Sequence, residues 1–305
     1  MEINEIDVFL LNAFTKDEKG GNPAGVVLNA NSLNSAQMQE IATQVNVPET
    51  VFVSPKNMSQ AEKKADFEVR FYTPTQEVDF CGHASVAAFT FLYQKGVICS
   101  GCYYQSTKLG ILPVWINDEG LVTLEQSNVS YHQQFNWQQI RPLIDLDGHA
   151  QAISDLPIEV VSTGLKDCFI PLVKGSLDKL KFDLDGIAVF CKRHDLISFH
   201  LFEMAQDQSG LTKVECRNIA PLVGIDEEAA TGSSAGALTC YLNRYLKDKP
   251  TEFVFQQGRK MGSLSQIYSK LVPTIHHQNT INQRSEYRIH VSGYAHLNGH
   301  LVISF

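Results

Sequence analysis

Two eleven-residue segments in this chain follow one pattern. Gly82-His83-Ala84-Ser85-Val86-Ala87-Ala88-Phe89-Thr90-Phe91-Leu92 and Gly232-Ser233-Ser234-Ala235-Gly236-Ala237-Leu238-Thr239-Cys240-Tyr241-Leu242 each open on a glycine and a polar residue. Each continues through small residues and closes on an aromatic–leucine pair. Their offset, 232 − 82 = 150, is close to half of the 305 residues. A repeat at that distance points to two similar halves, which is also what the length suggests at roughly 150 residues per domain. In each half a glycine-led, small-residue helix lets a backbone or a ligand come close to the free N–H groups of its first turn. Two such helices suggest two helix starts directed at one shared site; a chance match of two small-residue helices is the plainer alternative.

Composition narrows the partners. Lys and Arg number 25 against 33 Asp and Glu, a net charge of -8, and a chain this acidic lacks the footprint of a phosphate-backbone binder. No nucleic acid is expected. With 44% hydrophobic residues, 19% charged residues and a mean hydropathy of -0.12, neither a disordered chain nor a membrane bundle is indicated. The opening residues carry acids where an export signal carries bases, and no apolar run nears the roughly 20 residues that span a bilayer. The seven cysteines, an odd number and scattered, then read as reduced thiols of a cytoplasmic protein.

Apolar periodicity predicts strands at Ile6–Leu11, Gly25–Leu28, Val51–Val53 and Phe67–Tyr72, and helices at Ser35–Gln44 and His83–Tyr93. Gly110–Ile116 and Leu121–Glu125 form a hairpin about Asn117–Gly120, and the polar stretch Gln126–Gln139 reads as a linker. In the second half, strands are expected at Val160–Ser162, Phe169–Val173, Ile187–Phe190, Phe199–Met204, Val214–Asn218, Phe253–Gln256, Ser265–Leu271, Tyr287–Val291 and His300–Phe305. A helix is expected at Ser234–Tyr245. The mixture lacks the regular strand–helix alternation of a doubly wound fold.

Three polar positions could carry chemistry. Glu49 enters the apolar run Thr50–Val53, and is either surface-facing, the commoner place for a glutamate, or desolvated toward acid/base use. His83 stands at a helix start, where the dipole favours a neutral, proton-relaying imidazole; an N-terminal packing residue fits the position equally. Asp226-Glu227-Glu228 precedes the second helix, as ordinary dipole complementation would place it. Cys81 raises thiol racemisation, which needs two opposed bases, yet its repeat counterpart is Thr231, whose hydroxyl is no base near neutral pH.

Other motifs are discounted. Cys99–Cys102 and Cys191–His194 have zinc-ligand spacing, but nothing in the sequence brings them together. His276, His277, His290, His296 and His300 read as surface histidines. Ala230–Gly236 lacks the phosphate-loop lysine, and no dinucleotide GxGxxG follows a strand. No metal and no cofactor is indicated.

Taken together the motifs resemble the PhzF-like family of phenazine biosynthesis, cousins of diaminopimelate epimerase. The resemblance runs through Asp7–Phe9, Asn12–Phe14, Gly21–Val27, Val47–Val53, Phe71–Pro74, Cys81–Ala84, Ser162–Gly164, Arg217–Pro221, Ala230–Ser233, Gln257–Gly258 and Met261–Gly262. It implies an α/β (α+β) fold of two pseudo-symmetric domains, each a mixed β-barrel around a central helix, with the last strand returning to the first domain. The domains would be 1–120 with 296–305, and 121–295. The resemblance further implies a homodimeric, cofactor-free isomerase that moves a proton on carbon in a small anionic substrate held between the domains. It casts Glu49 as acid/base, with His83 and Glu228 as catalytic partners. Asn22, Thr73, Cys81, Gly82, Ala84, Thr231, Gly232, Ser233 and Ser234 are then substrate-binding candidates.

Two departures stand out: Glu228 replaces an aspartate, and Ser263 stands where an arginine is usual. They shift one carboxylate and remove one guanidinium, so the substrate need not be the phenazine intermediate. An amino-acid epimerase using Cys81 and a binding protein without activity are the rival functions.

Overall fold

Alternating and continuous apolar runs become strands, and the two small-residue segments become the helices those strands surround. The computed structural model describes residues 5–56, 65–145, 155–205, 211–274 and 286–305. The chain divides into one unit of Met1–Glu125 with Ser292–Phe305 and a second of Gln126–Val291.

The first unit runs β1 (Glu5–Ala13), β2 (Asn22–Leu28), α1 (Ser35–Val45), β3 (Glu49–Pro55), β4 (Phe67–Tyr72), β5 (Glu77–Val78), α2 (Gly82–Gln94), β6 (Gly101–Thr107), β7 (Gly110–Ile116) and β8 (Val122–Gln126). The second runs β9 (Ser130–Phe135), α3 (Trp137–Ile140), β10 (Ile144–Asp145), β11 (Ile158–Ser162), β12 (Lys166–Leu172), β13 (Lys181–Phe182), α4 (Leu184–His194), β14 (Ser198–Ala205), β15 (Thr212–Ala220), β16 (Ile225–Glu228), α5 (Gly232–Tyr245), β17 (Glu252–Gln257), β18 (Ser265–Pro273) and β19 (Tyr287–Gly293). The chain then enters β20 (Ala295–Ser304), which pairs antiparallel with β1 and so belongs to the first unit.

Strand pairing is duplicated. In the first unit β1·β2 is antiparallel, β2·β3 parallel, β3·β4 antiparallel, β4·β5 antiparallel, β4·β6 parallel and β6·β7 antiparallel. The second unit repeats that series as β11·β12, β12·β14, β14·β15, β15·β16, β15·β17 and β17·β18. The β1·β20 pair matches β11·β9. A repeated ion pair fixes the register of the comparison. Arg70 Nε and Nη2 donate to Glu77 at 2.8 and 3.0 Å, and Arg217 Nε and Nη2 donate to Glu227 at 2.9 and 2.6 Å. Phe52 lies opposite Arg70 and Leu201 opposite Arg217. Counting back along β3 and β14, Glu49 corresponds to Ser198; across the parallel pairs, Ala24 corresponds to Asp167.

Packing explains the local choices. A capping box between Asn34 and Gln37 starts α1, and Asn46 in the left-handed region (φ 52) ends it. Met38, Ile41, Ala42 and Val45 pack on Val27, Phe52 and Tyr72 on one side of the sheet. On the other side lies α2, buried from His83 to Leu92, with Phe91 against Phe9 and Phe89 edge-on to Phe67. The second unit pairs α4 and α5 with its sheet in the same way, Ile187 and Cys191 of α4 meeting Phe199, Leu201 and Ile219.

Three sequence expectations change. Ile187–Phe190 is part of helix α4 and not a strand: Ile187 and Cys191 are four apart and face the core, while Val189 is exposed, which is helical spacing. The expected linker Gln126–Gln139 contains β9 and the start of α3, because β9 pairs with β11 and buries Phe135. His300 is more than a surface histidine, since its Nε2 lies 2.7 Å from Asp7 and its ring stacks on Phe9. His290 and His296 are half-buried, and His276 and His277 lie outside the described residues. Among the described residues no helix is long and apolar enough to cross a membrane.

Candidate active site

β3 and the start of α2 bring three functional side chains together in the first unit. Glu49 is the first residue of β3, on the face turned toward α2, where Val51 follows it. Cys81 is the N-cap of α2 in extended geometry (φ -142, ψ 116) with no side-chain cap, so the first-turn N–H groups are not taken by a capping side chain. His83 follows within that turn. Its Nε2 lies 3.2 Å from Glu49 Oε2, and Cys81 Sγ lies 3.3 Å from His83 Nδ1.

Burial and charge set the protonation states. The His83 side chain is 7% exposed and that of Glu49 20%. Burial opposes a charged imidazole, but the Cys81 sulfur and the Glu49 carboxylate outweigh it and hold His83 well above its ordinary value. Burial pushes Glu49 up, and the His83 contact and the Cys81 thiol hydrogen bond pull it below its ordinary value. Burial and the Glu49 charge raise Cys81, which stays a thiol. The resting trio is therefore carboxylate, imidazolium and neutral thiol. This corrects two expectations from the sequence: the helix dipole does not keep His83 neutral, because a carboxylate at 3.2 Å is stronger, and burial does not leave Glu49 with a raised value.

Glu49, Cys81 and His83 also present three ligand atoms within 4.8 Å of one another. Their geometry suits a Glu49–His83 ion pair with a thiol packed beside the ring better than a metal centre. His83 Nε2 already meets Glu49, and Cys81 Sγ lies 3.3 and 3.9 Å from the two ring nitrogens. A sulfur on the Nδ1 lone-pair axis would stand more than about 5 Å from Nε2, so it approaches the ring from the side.

The other candidates divide by unit. Gly82 and Ala84 belong to the first turn of α2, and Asn22 is buried at the start of β2. The Thr73 hydroxyl is committed to its own turn, accepting from Gln76 N at 3.1 Å and donating to Gln76 O at 3.1 Å. In the second unit Thr231 is the N-cap of α5, again extended (φ -124, ψ 92) and without a side-chain cap, followed by Gly232 and Ser233. Thr231 Oγ1 donates to Glu228 Oε2 at 2.5 Å. Gln257 Nε2 donates to Glu228 O at 2.7 Å and to Thr231 Oγ1 at 3.0 Å, while Thr163 Oγ1 donates to Ser233 O at 3.1 Å. The Ser234 hydroxyl turns inward, donating to Asp167 Oδ2 at 2.6 Å. Sequence reasoning passed over Asp167, Ser198 and His200, although a lone acid in the apolar strand Lys166–Leu172 was the available signal.

Comparison with known proteins places these features. A family model described as phenazine biosynthesis-like protein matches residues 11–298. An uncharacterized isomerase of Clostridium acetobutylicum is 30% identical over 246 residues, 79% of this chain and 80% of that protein. An uncharacterized isomerase of Bacillus subtilis is 30% identical, covering 85% of this chain and 88% of that protein. Among solved structures, a PhzF-family phenazine biosynthesis protein of Bacillus anthracis superposes with a TM-score of 0.81 at 24% identity, covering 98% of this chain and 99% of that one. A hydroxyproline epimerase of Agrobacterium vitis shares the fold at a TM-score of 0.60 and 11% identity, covering 99% and 93%. The chain belongs to the phenazine biosynthesis-like family and, like those relatives, is an isomerase.

Proposed function

We propose that this isomerase moves a proton on carbon in a small carboxylate-bearing substrate without a cofactor, with Glu49 as the acid/base. The observation that carries this reading is the buried Glu49–His83 contact of 3.2 Å at the open start of α2. The Glu49 carboxylate takes a proton from the substrate carbon, and the same carboxyl returns it at another carbon. His83 holds the carboxylate in place and offsets the negative charge that passes to the substrate. The first-turn N–H groups at Gly82–Ala84 are placed to receive an anionic oxygen, at the positive end of the helix. A carboxyl held below its ordinary value gives its proton back readily, which suits a shuttle better than a store.

Pseudo-symmetry favours a one-base shuttle over two-base inversion. The positions of Glu49, Cys81 and His83 are filled in the second unit by Ser198, Thr231 and Ser233, none of which is a base near neutral pH. Glu228, tied to Thr231, supplies that unit's own carboxylate at the first turn of α5. A thiol base at Cys81 is disfavoured, since the sulfur is buried and its value raised.

The test is a screen of small amino, hydroxy and unsaturated carboxylic acids in deuterated water, read by proton NMR for loss of a carbon-bound hydrogen. Once a compound exchanges, Glu49→Gln should slow that exchange by about 10²-fold or more. Exchange that persists undiminished in E49Q refutes the role given to Glu49.

A further inference from the structure

The duplication exposes a difference between the halves beneath their two helix starts. In the first unit the four matched positions around the start of α2 are Ala24, Val51, Phe71 and Ala84, all apolar and buried. Their counterparts in the second unit are Asp167, His200, Asn218 and Ser234, matched by strand register and by the 150-residue offset. With Ser198, in the place of Glu49, these form one buried network. Ser198 Oγ donates to Asp167 Oδ1 at 2.7 Å and Ser234 Oγ to Asp167 Oδ2 at 2.6 Å. Asn218 Nδ2 lies 2.9 Å from Ser198 Oγ, 3.0 Å from His200 Nδ1 and 3.4 Å from Ser234 Oγ. Asp167 is 2% exposed, and its carboxyl accepts from the neutral hydroxyls of Ser198 and Ser234.

An apolar core fills the matched space in the first unit, so the fold itself does not require this network. A buried polar cluster specifies one arrangement of the groups it joins, at a cost in stability. What it joins here is β12, β14 and β15 to the first turn of α5, through Ser234. We propose that Asp167 is a positioning residue for that turn: its carboxyl sets, through Ser234, the orientation of the Thr231–Ser233 segment. The coupling lies within the second unit and does not rest on the role proposed above for Glu49.

The coupling has a proton balance. Ionised, the Asp167 carboxylate accepts from both serines. Protonated on Oδ2, the carboxyl becomes a donor to Ser234, whose hydroxyl hydrogen must turn away, so the hydrogen bond at the helix start is reversed; protonated on Oδ1, the same change falls on Ser198. Burial raises Asp167 to about 6, and the two serine hydrogen bonds only partly offset it. The titratable groups nearest it, His200 on the same face and two thiols on the other side of the sheet, do not titrate in the same range. Burial keeps His200 neutral, lowered to about 3, while the thiols of Cys168, on its own strand, and Cys191, on α4, are pushed up, Cys191 to about 12.

The experiment is a pH titration from 5 to 8 of the ¹H–¹⁵N spectrum of the full chain, with the Asp167 carboxyl carbon followed in parallel. Wild-type amides of Gly232–Ala235 should titrate with one midpoint near 6, the same as the carboxyl, and in Asp167→Asn they should stay flat. Ser234→Ala, which installs the small residue found at Ala84, is the second variant should D167N fold poorly. In it the carboxyl still titrates, but the α5 amides no longer follow. Wild-type amides that do not move, or that move equally in S234A, overturn the proposal. Deuterium exchange lost in E49Q alongside flat α5 amides would spare the isomerase reading and sink only this one; titrating amides with exchange undiminished in E49Q would do the reverse.

Discussion

Replacing Glu49 by glutamine removes the charge that holds His83 protonated and leaves the shape of the site in place. At 3.2 Å and an effective dielectric near 20, the pair is worth up to about 5 kcal/mol. Glu49 keeps 20% of its side chain in solvent, so screening brings this to roughly 3 kcal/mol. Burial, the leading influence on His83, then has only the Cys81 sulfur against it; a neutral thiol carries no charge, so the imidazole falls below its ordinary value. In the wild type, the raised His83 contributes stability that is fully present below the unfolded histidine value, near 6.5. That contribution is lost as pH rises through the raised folded value. The lowered Glu49 contributes stability above the unfolded glutamate value that is lost as pH falls through its folded one. Long-range ¹H–¹⁵N spectra of the imidazole read the first effect directly: at pH 7 His83 is doubly protonated in wild type and a single neutral tautomer in E49Q. Should His83 in E49Q stay above the ordinary histidine value, the charge would have to come from Cys81, and the neutral-thiol assignment would fall with the argument.

Iodoacetamide should label the exposed Cys99 and Cys102 well before Cys81 in native protein, as peptide mass spectrometry would show; equal rates would contradict a buried, protonated thiol. Arg217→Ala should cost about 3–5 kcal/mol, since it strands Glu227 and the carbonyls of Leu177 and Leu180 in a largely buried place. Arg70→Ala, at a more exposed copy of the pair, should cost about 1–2 kcal/mol, and urea unfolding that ranks the two the other way would be inconsistent with their burial. Wild-type stability relative to D167N should fall by about 2 kcal/mol as pH rises from 4 to 7, because a carboxyl raised to about 6 stabilises the fold only while protonated. Gly258→Ala should destabilise by at least about 1 kcal/mol: φ there is +79 and a Cβ would stand 2.3 Å from Ser263 O, next to the Gln257 side chain that ties Glu228 to Thr231.

The repeat was readable because both copies keep a glycine, small residues and an aromatic–leucine end. Those are demands of close helix packing that both α2 and α5 must meet. Strand β12 was readable as apolar, but its buried Asp167 was not, since a lone acid in a strand signals exposure until its hydroxyl partners, 31 and 67 residues away, are known. The helix at Ile187–Phe190 was missed because four apolar residues in a row fit a buried strand as well as part of an amphipathic helix. Residue by residue, Glu49 read as a surface glutamate, and only family resemblance moved it inward. The physical reason lies in His83, 34 positions away, which supplies the charge that makes burial tolerable. The charges of the trio were beyond the sequence altogether, since they depend on distances of 3 to 4 Å set by the turn at Cys81.

The pairing of β20 with β1 has a consequence for synthesis on the ribosome. Residues 126–291 are one unbroken stretch, so the second unit can close as soon as it leaves the exit tunnel. The first unit, begun earlier, waits for Ala295–Ser304 while the edge of β1 that β20 will cover stays open. The half that emerges first is thus finished last, and the half that holds Glu49 and His83 matures only once residues 295–304 are available to pair with β1.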